Sequence, residues 1–131
     1  MATQPPPAPP LPKPRRGEIW FIRLATDPKK DPRPVVVVSL DGRNQHPRAP
    51  TVTIVPISTT PTEYPSHVPL SIGETGLPEN SEAQGENVTV VLKKSLIPPN
   101  YALRTLSEAT LRKIARAVIA GMGISPNDIL K

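Results

Sequence analysis

Glu18 to Leu24 (EIWFIRL) is a mostly apolar run, with Glu18 and Arg23 its polar residues. Trp20, Ile22 and Leu24 fall on one side and Ile19, Phe21 and Arg23 on the other, which predicts a β-strand. The run from Pro34 to Leu40 is different: its consecutive valines leave no polar face, as in a strand covered on both sides. A third strand is predicted over Thr51 to Ile57 (TVTIVPI). There Pro56 has no N–H for a ladder and marks an edge, a bulge or the point where pairing stops. Shorter strands are predicted at His67 to Ser71 (HVPLS) and Asn87 to Lys93 (NVTVVLK). Asp41-Gly42 reads as a turn, and Gly73 to Glu86 as an acidic, glycine-containing loop. Beyond Ser107 the period changes. Leu111, Ile114, Val118 and Met122 recur at helical spacing, with Ala115 beside them, and Ser107 and Glu108 suit a helix start. Gly121 and Gly123 both suit its end, and Ser125-Pro126 begins a last short turn. About five short strands followed by one amphipathic helix predict a small twisted or barrel-like sheet with the helix packed on it.

Composition narrows the function. A chain of 131 residues holds one domain plus extras. Residues 1–14 contain seven of the 20 prolines and read as a solvated, polyproline-type tail, either passive or a PxxP ligand. Residues 15–124 then form the folded domain, with 125–131 as a short extension. There is no cysteine, which excludes disulfides, thiolate zinc sites and thiol nucleophiles and agrees with a cytoplasmic location. No stretch approaches the roughly 20 apolar residues of a membrane span, and the N-terminus lacks an apolar signal core. His46 and His67 are isolated from one another, so no metal site or other cofactor is expected.

The net charge of +5 is unevenly spread. Lys13, Arg15, Arg16, Arg23, Lys29, Lys30, Arg33, Arg43 and Arg48 crowd the first part, whereas residues 63–86 carry acids alone. A basic half of this kind points to a polyanionic partner such as nucleic acid.

Within that half, Asp31-Pro32-Arg33-Pro34 is a stiff element, because a residue before proline is held extended. Arg33 is thus a guanidinium on a rigid support at the lip of the valine strand. It is either a strand-start arginine paired with Asp27 or Asp31, or a group that meets an anion. Ser58-Thr59-Thr60 places hydroxyls at the end of the following core strand.

Taken together, Arg16-Gly17-Glu18-Ile19-Trp20, Arg33-Pro34-Val35-Val36-Val37-Val38-Ser39 and Val52-Thr53-Ile54-Val55-Pro56-Ile57-Ser58 resemble the MazF/PemK toxin family. The likeness runs on through His67-Val68-Pro69-Leu70, Gly76-Leu77-Pro78 and the C-terminal helix. The resemblance implies an SH3-like β-barrel of about five to seven short strands with a C-terminal helix, assembled as a homodimer. It implies a metal-independent endoribonuclease that cuts single-stranded RNA at short sequences. It implies a cognate antitoxin lying partly across the RNA surface, and operator DNA as a further ligand in the antitoxin's company. By position in the motif, Arg33 matches the family's catalytic arginine, and Ser58 stands where threonine is usual. The loop before Arg33, Thr26 to Pro32, departs from the family's glycine-rich stretch, and Asn87 stands near a position often held by serine.

Further candidates follow from chemistry. Thr59 takes the hydroxyl role if the register shifts by one. His67 is a candidate for proton transfer or RNA contact, against a plain polar strand start. Lys29, Lys30, Arg43 and Arg48 are candidate phosphate contacts. Trp20 suits core packing better than base stacking, and Arg112 and Arg116 suit a solvated helix face. The alternative to the nuclease is a non-catalytic module on the same barrel: a decayed toxin, an autoregulatory DNA binder or a topoisomerase inhibitor.

Overall fold

The computed structural model describes residues 10–23, 31–60 and 62–128. Its strands are β1 (Ile19–Ile22), β2 (Arg33–Val37), β3 (Thr51–Ser58), β4 (His67–Leu70), β5 (Ser81–Gln84) and β6 (Thr89–Leu92). They form a 6-stranded antiparallel sheet in the order β1-β2-β3-β5-β4, with β6 also beside β3. The helices are α1 (Asp41–Asn44), α2 (Ile72–Thr75) and α3 (Glu108–Gly121). The architecture is mainly β with a C-terminal helix, as the pattern predicts.

The barrel-like character comes from a wrap that stops short of a closed ladder. After β6 the chain returns to β1, where Phe21 and Ile97 exchange backbone hydrogen bonds of 2.9 and 2.8 Å as a single isolated bridge.

The valine run is covered on both sides because it separates two cores. Val36 packs with Ile19, Val55, Ile57, Leu111 and Ile114 on the face that carries α3. Val35 and Val37 pack with Val52, Ile54 and Leu96 on the other face, where Trp20 and Ile22 join them. All three valines are at most 1% exposed. At roughly 1.5–3 kcal/mol for each side chain removed from water, this strand is a main anchor of the fold. Trp20 is therefore a packing residue, with its Nε1 donating to Glu18 Oε1 at 3.3 Å.

β3 changes neighbours along its length. On one edge it pairs β2, while on the other Thr51–Ile54 pair β6 and Ile57–Ser58 pair β5. Pro56 falls in the gap between those two pairings, where a missing N–H forfeits no ladder bond.

The start of the domain depends on a tight approach. Gly17 has φ +91°, donates to Val37 O at 2.7 Å and accepts from Leu106 N at 2.9 Å. A Cβ there would lie 3.0 Å from Leu106 O, so both the left-handed backbone and the contact call for glycine.

α3 begins where the sequence places it: Ser107 Oγ accepts the N–H of Thr110 at 3.2 Å. Leu111, Ile114 and Ala117 are buried, and Arg112 and Arg116 are exposed. Met122 does not complete the apolar stripe, since it caps the helix and is 69% exposed, and Ala115 is exposed as well. Two loop expectations are corrected. Asp41-Gly42 opens α1, and the acidic stretch Gly73 to Glu86 holds the end of α2 and all of β5. Ser81, Glu82 and Ala83 are all buried, because β5 is inserted between β3 and β4.

Candidate active site

The register of β2 on β3 pairs Val35 with Pro56, Val36 with Val55 and Val37 with Ile54. Continued to the start of β2, it sets Arg33 opposite Ser58. Arg33 pairs Ile22 on its other side, Ser58 pairs Glu82, and Glu82 pairs Pro69. These residues form one row across five strands, and directly opposed residues share a face of the sheet.

Arg33 is exposed, and its guanidinium has no hydrogen-bond or ion-pair partner among the described residues. Asp31 makes no ion pair with it, and Asp27 lies outside the described residues. Ser58 is half-buried, and its Oγ accepts the N–H of Thr60 at 3.1 Å, which leaves the hydroxyl hydrogen free to donate. Thr59 and Thr60 are exposed in the loop that follows. A fork of donors with no internal carboxylate, facing hydroxyls across a strand pair, suits a phosphate group.

An acid–imidazole–acid column, Glu82–His67–Glu86, shares its buried end, Glu82, with this row. Glu82 is 2% exposed. Its carboxylate accepts the Thr62 N–H at 3.2 and 3.1 Å and the Thr62 hydroxyl at 3.1 Å. His67, its side chain 7% exposed, faces Glu82 Oε1 with Nδ1 at 2.9 Å and Glu86 Oε1 with Nε2 at 2.5 Å. His67 Nδ1 also lies 3.0 Å from Thr62 Oγ1. Glu86 also accepts from Ser66 Oγ at 2.5 Å. Burial pushes the Glu86 carboxyl up, but the hydrogen bonds from Ser66 and His67 outweigh it and hold the group below its ordinary value. Two cavities flank His67. One, of about 660 Å³, runs between Tyr64, Pro65 and the end of α3; the other, of about 390 Å³, reaches Glu63, Glu74 and Asn80.

The remaining candidates divide. Lys29 and Lys30 lie outside the described residues. Arg43 and Arg48 are not brought to Arg33. Arg43 Nη2 donates to Thr51 Oγ1 at 2.5 Å, which puts it at the far end of β3, about 23 Å from Ser58 at the usual rise per residue. There Lys93, only 1% exposed, donates to Arg43 O and His46 O at 3.0 and 2.9 Å. Burial lowers its ammonium pKa, and Arg43 and Lys13 add to the effect. Beside Arg33, a cavity of about 510 Å³ lies between Phe21, Pro32, Pro98, Pro99 and Tyr101, with Asp31 and Asn100 at its edge. Glu82 and Glu86 escape the sequence reading because they sit in a stretch that looks like a solvated acidic loop. The one available hint is His67 with an acid 15 and another 19 residues on.

The chain belongs to a family of bacterial poisons kept with their antidotes: residues 15–121 match the PemK-like, MazF-like toxin of type II toxin–antitoxin systems. Among individual relatives, it is 33% identical over 113 residues to endoribonuclease MazF9 of Mycobacterium tuberculosis, covering 79% of this chain and 92% of the relative. Solved structures share the fold. An endoribonuclease in complex with its cognate antitoxin, from a mycobacterial species, aligns with TM-score 0.66 at 23% identity, over 85% of this chain and 96% of that one. MazE–MazF from Deinococcus radiodurans aligns with TM-score 0.67 at 15% identity, over 86% and 99%.

Proposed function

We propose that the chain is an endoribonuclease toxin that cuts single-stranded RNA at short sequences through the RNA's own 2′-hydroxyl. The observation that carries this reading is Arg33: an exposed guanidinium without a partner among the described residues, at the position that the β2–β3 register, continued, sets opposite Ser58. The 2′-oxygen attacks the adjacent phosphorus while the bond to the 5′-oxygen breaks. The products are a 2′,3′-cyclic phosphate and a new 5′-hydroxyl, and the proton lost by the nucleophile is balanced by one gained by the leaving oxygen. Charge grows on the non-bridging oxygens, where the Arg33 fork stabilises it. Ser58 donates to the phosphate or the ribose and orients it. The nucleophile belongs to the substrate, so the scheme runs without a metal. A preorganised donor of this kind contributes about 3–4 kcal/mol to lowering the barrier. The protein acts as a homodimer and is held inactive by a cognate antitoxin; a structural relative solved in complex with its cognate antitoxin supports the existence of that partner.

The test is incubation of the purified protein with a long single-stranded RNA in EDTA, mapping the 5′ ends, with Arg33→Ala alongside. Discrete cuts with 5′-hydroxyl ends, absent in the variant and blocked by a 2′-O-methyl at the cut position, are expected. Intact RNA with the wild type overturns the reading and leaves the binding module in its place.

A further inference from the structure

Glu82 has no part in the reaction as drawn, yet it is buried in the row that holds Ser58. Burying a polar side chain costs desolvation unless its hydrogen bonds are made, so its presence asks for a role. Its backbone and side chain meet the same loop at two points. The backbone pairs Ser58 in the ladder. The carboxylate takes both the N–H and the hydroxyl of Thr62 at 3.1–3.2 Å. Glu82 therefore holds both Ser58 and Thr62, which stand on either side of the exposed residues Thr59 and Thr60. The Thr60 N–H is spent on Ser58 Oγ, which restrains the Ser58 hydroxyl at the end of β3. His67 and Glu86 hold the carboxylate from behind, and Ser66 holds Glu86.

We infer that Glu82 is a positioning residue of the nuclease. It holds Ser58 through the ladder and Thr62 through its carboxylate, and His67 and Glu86 lock its orientation. At 2% exposure Glu82 does not reach the substrate; it acts through the loop. This assignment rests on the nuclease reading above. It also accounts for Ser58 in place of the stiffer threonine, since a serine hydroxyl lacks the methyl that limits its rotamers and here gains its restraint from the loop.

The experiment measures kcat and KM on a short RNA spanning a mapped cut, for the wild type and for Glu82→Gln, Thr62→Ala and Thr62→Ser, each first checked for a cooperative thermal transition. Misplacing a reacting group by about 1 Å costs roughly 100-fold in rate. Glu82→Gln is therefore expected to lose about 100-fold in kcat with KM within about 2-fold of wild type. Thr62→Ala loses kcat to a smaller extent, and Thr62→Ser, which keeps both donors, recovers it. An unchanged kcat in Glu82→Gln overturns the inference, as does a fall matched by the unfolded fraction. Should Glu82→Gln fail to fold, Thr62→Ala, a change on an exposed loop, decides, and wild-type kcat there overturns the inference. A wild type that leaves RNA intact fails the nuclease reading itself. A wild type that cuts beside an equally active Glu82→Gln fails the positioning role alone.

Discussion

Gly85 lies against the backbone of Ala117 so closely that a Cβ built on it falls 2.7 Å from the Ala117 carbonyl carbon. The contact joins the turn after β5 to the middle of α3, and Gly121 makes a similar approach to Glu86 Cα at 2.9 Å. Rigid backbone lies on both sides, so an added methyl has no flexible neighbour to displace. Gly85→Ala is expected to lower stability by about 1–3 kcal/mol, the usual cost of overpacking, read as a lower denaturant midpoint with unchanged slope.

Arg33 separates catalysis from folding. Its side chain is exposed and makes no hydrogen bond or ion pair among the described residues, so Arg33→Ala should shift the thermal midpoint very little. The same change should lower kcat by about 100- to 1,000-fold. Arg33→Lys keeps the charge but not the planar fork, and its kcat is expected nearer the alanine variant than the wild type. Both follow from single-turnover cleavage beside a melting curve.

Acid should weaken the fold through carboxylates held below their ordinary values. In Glu74 the chief cause is the Ser71 backbone N–H, and in Asp41 it is the Arg16 backbone N–H. In Glu86 burial acts the other way and is outweighed by Ser66 and His67. A carboxylate with a depressed folded value binds protons more readily when unfolded. Its contribution is complete above the unfolded value and is lost as pH falls through the folded one. The melting temperature should hold between pH 7 and pH 5 with respect to these groups and fall below about pH 4.

Lys93 carries the opposite consequence for a loop. Its ammonium is buried and bonds only to the carbonyls of Arg43 and His46 among the described residues. Lys93→Met keeps the apolar stem but leaves both carbonyls without this donor. A loss of about 1–3 kcal/mol is expected, with earlier proteolytic nicking at residues 43–48 as the local readout.

The elements legible in the sequence are those whose burial is written in large side chains. β1, β2, β3 and α3 all carry Val, Ile, Leu or Trp at a clear period, and Arg33 with Ser58 could be singled out from the proline frame and the family likeness. β5 was not legible. Ser81-Glu82-Ala83-Gln84 has one small apolar residue, and it is a strand because β3 and β4 enclose it. Glu82 was hidden for the same reason: its burial belongs to the sheet and leaves no mark on its neighbours in the chain. Arg43 is close to Arg33 along the chain, yet its bond to Thr51 sets it at the opposite end of β3 from Ser58, a separation that the spacing of charges does not show. Lys93 ends the strand predicted over Asn87 to Lys93, and its burial leaves no mark in that pattern. Composition counts charges and does not say which carbonyls they reach.

Pro56 divides the amides of β3 between two ladders, one shared with β6 and the other with β5. Those two ladders can therefore open one at a time while β2 holds the other edge of β3 across the proline, and hydrogen–deuterium exchange should show a step in rate at Pro56.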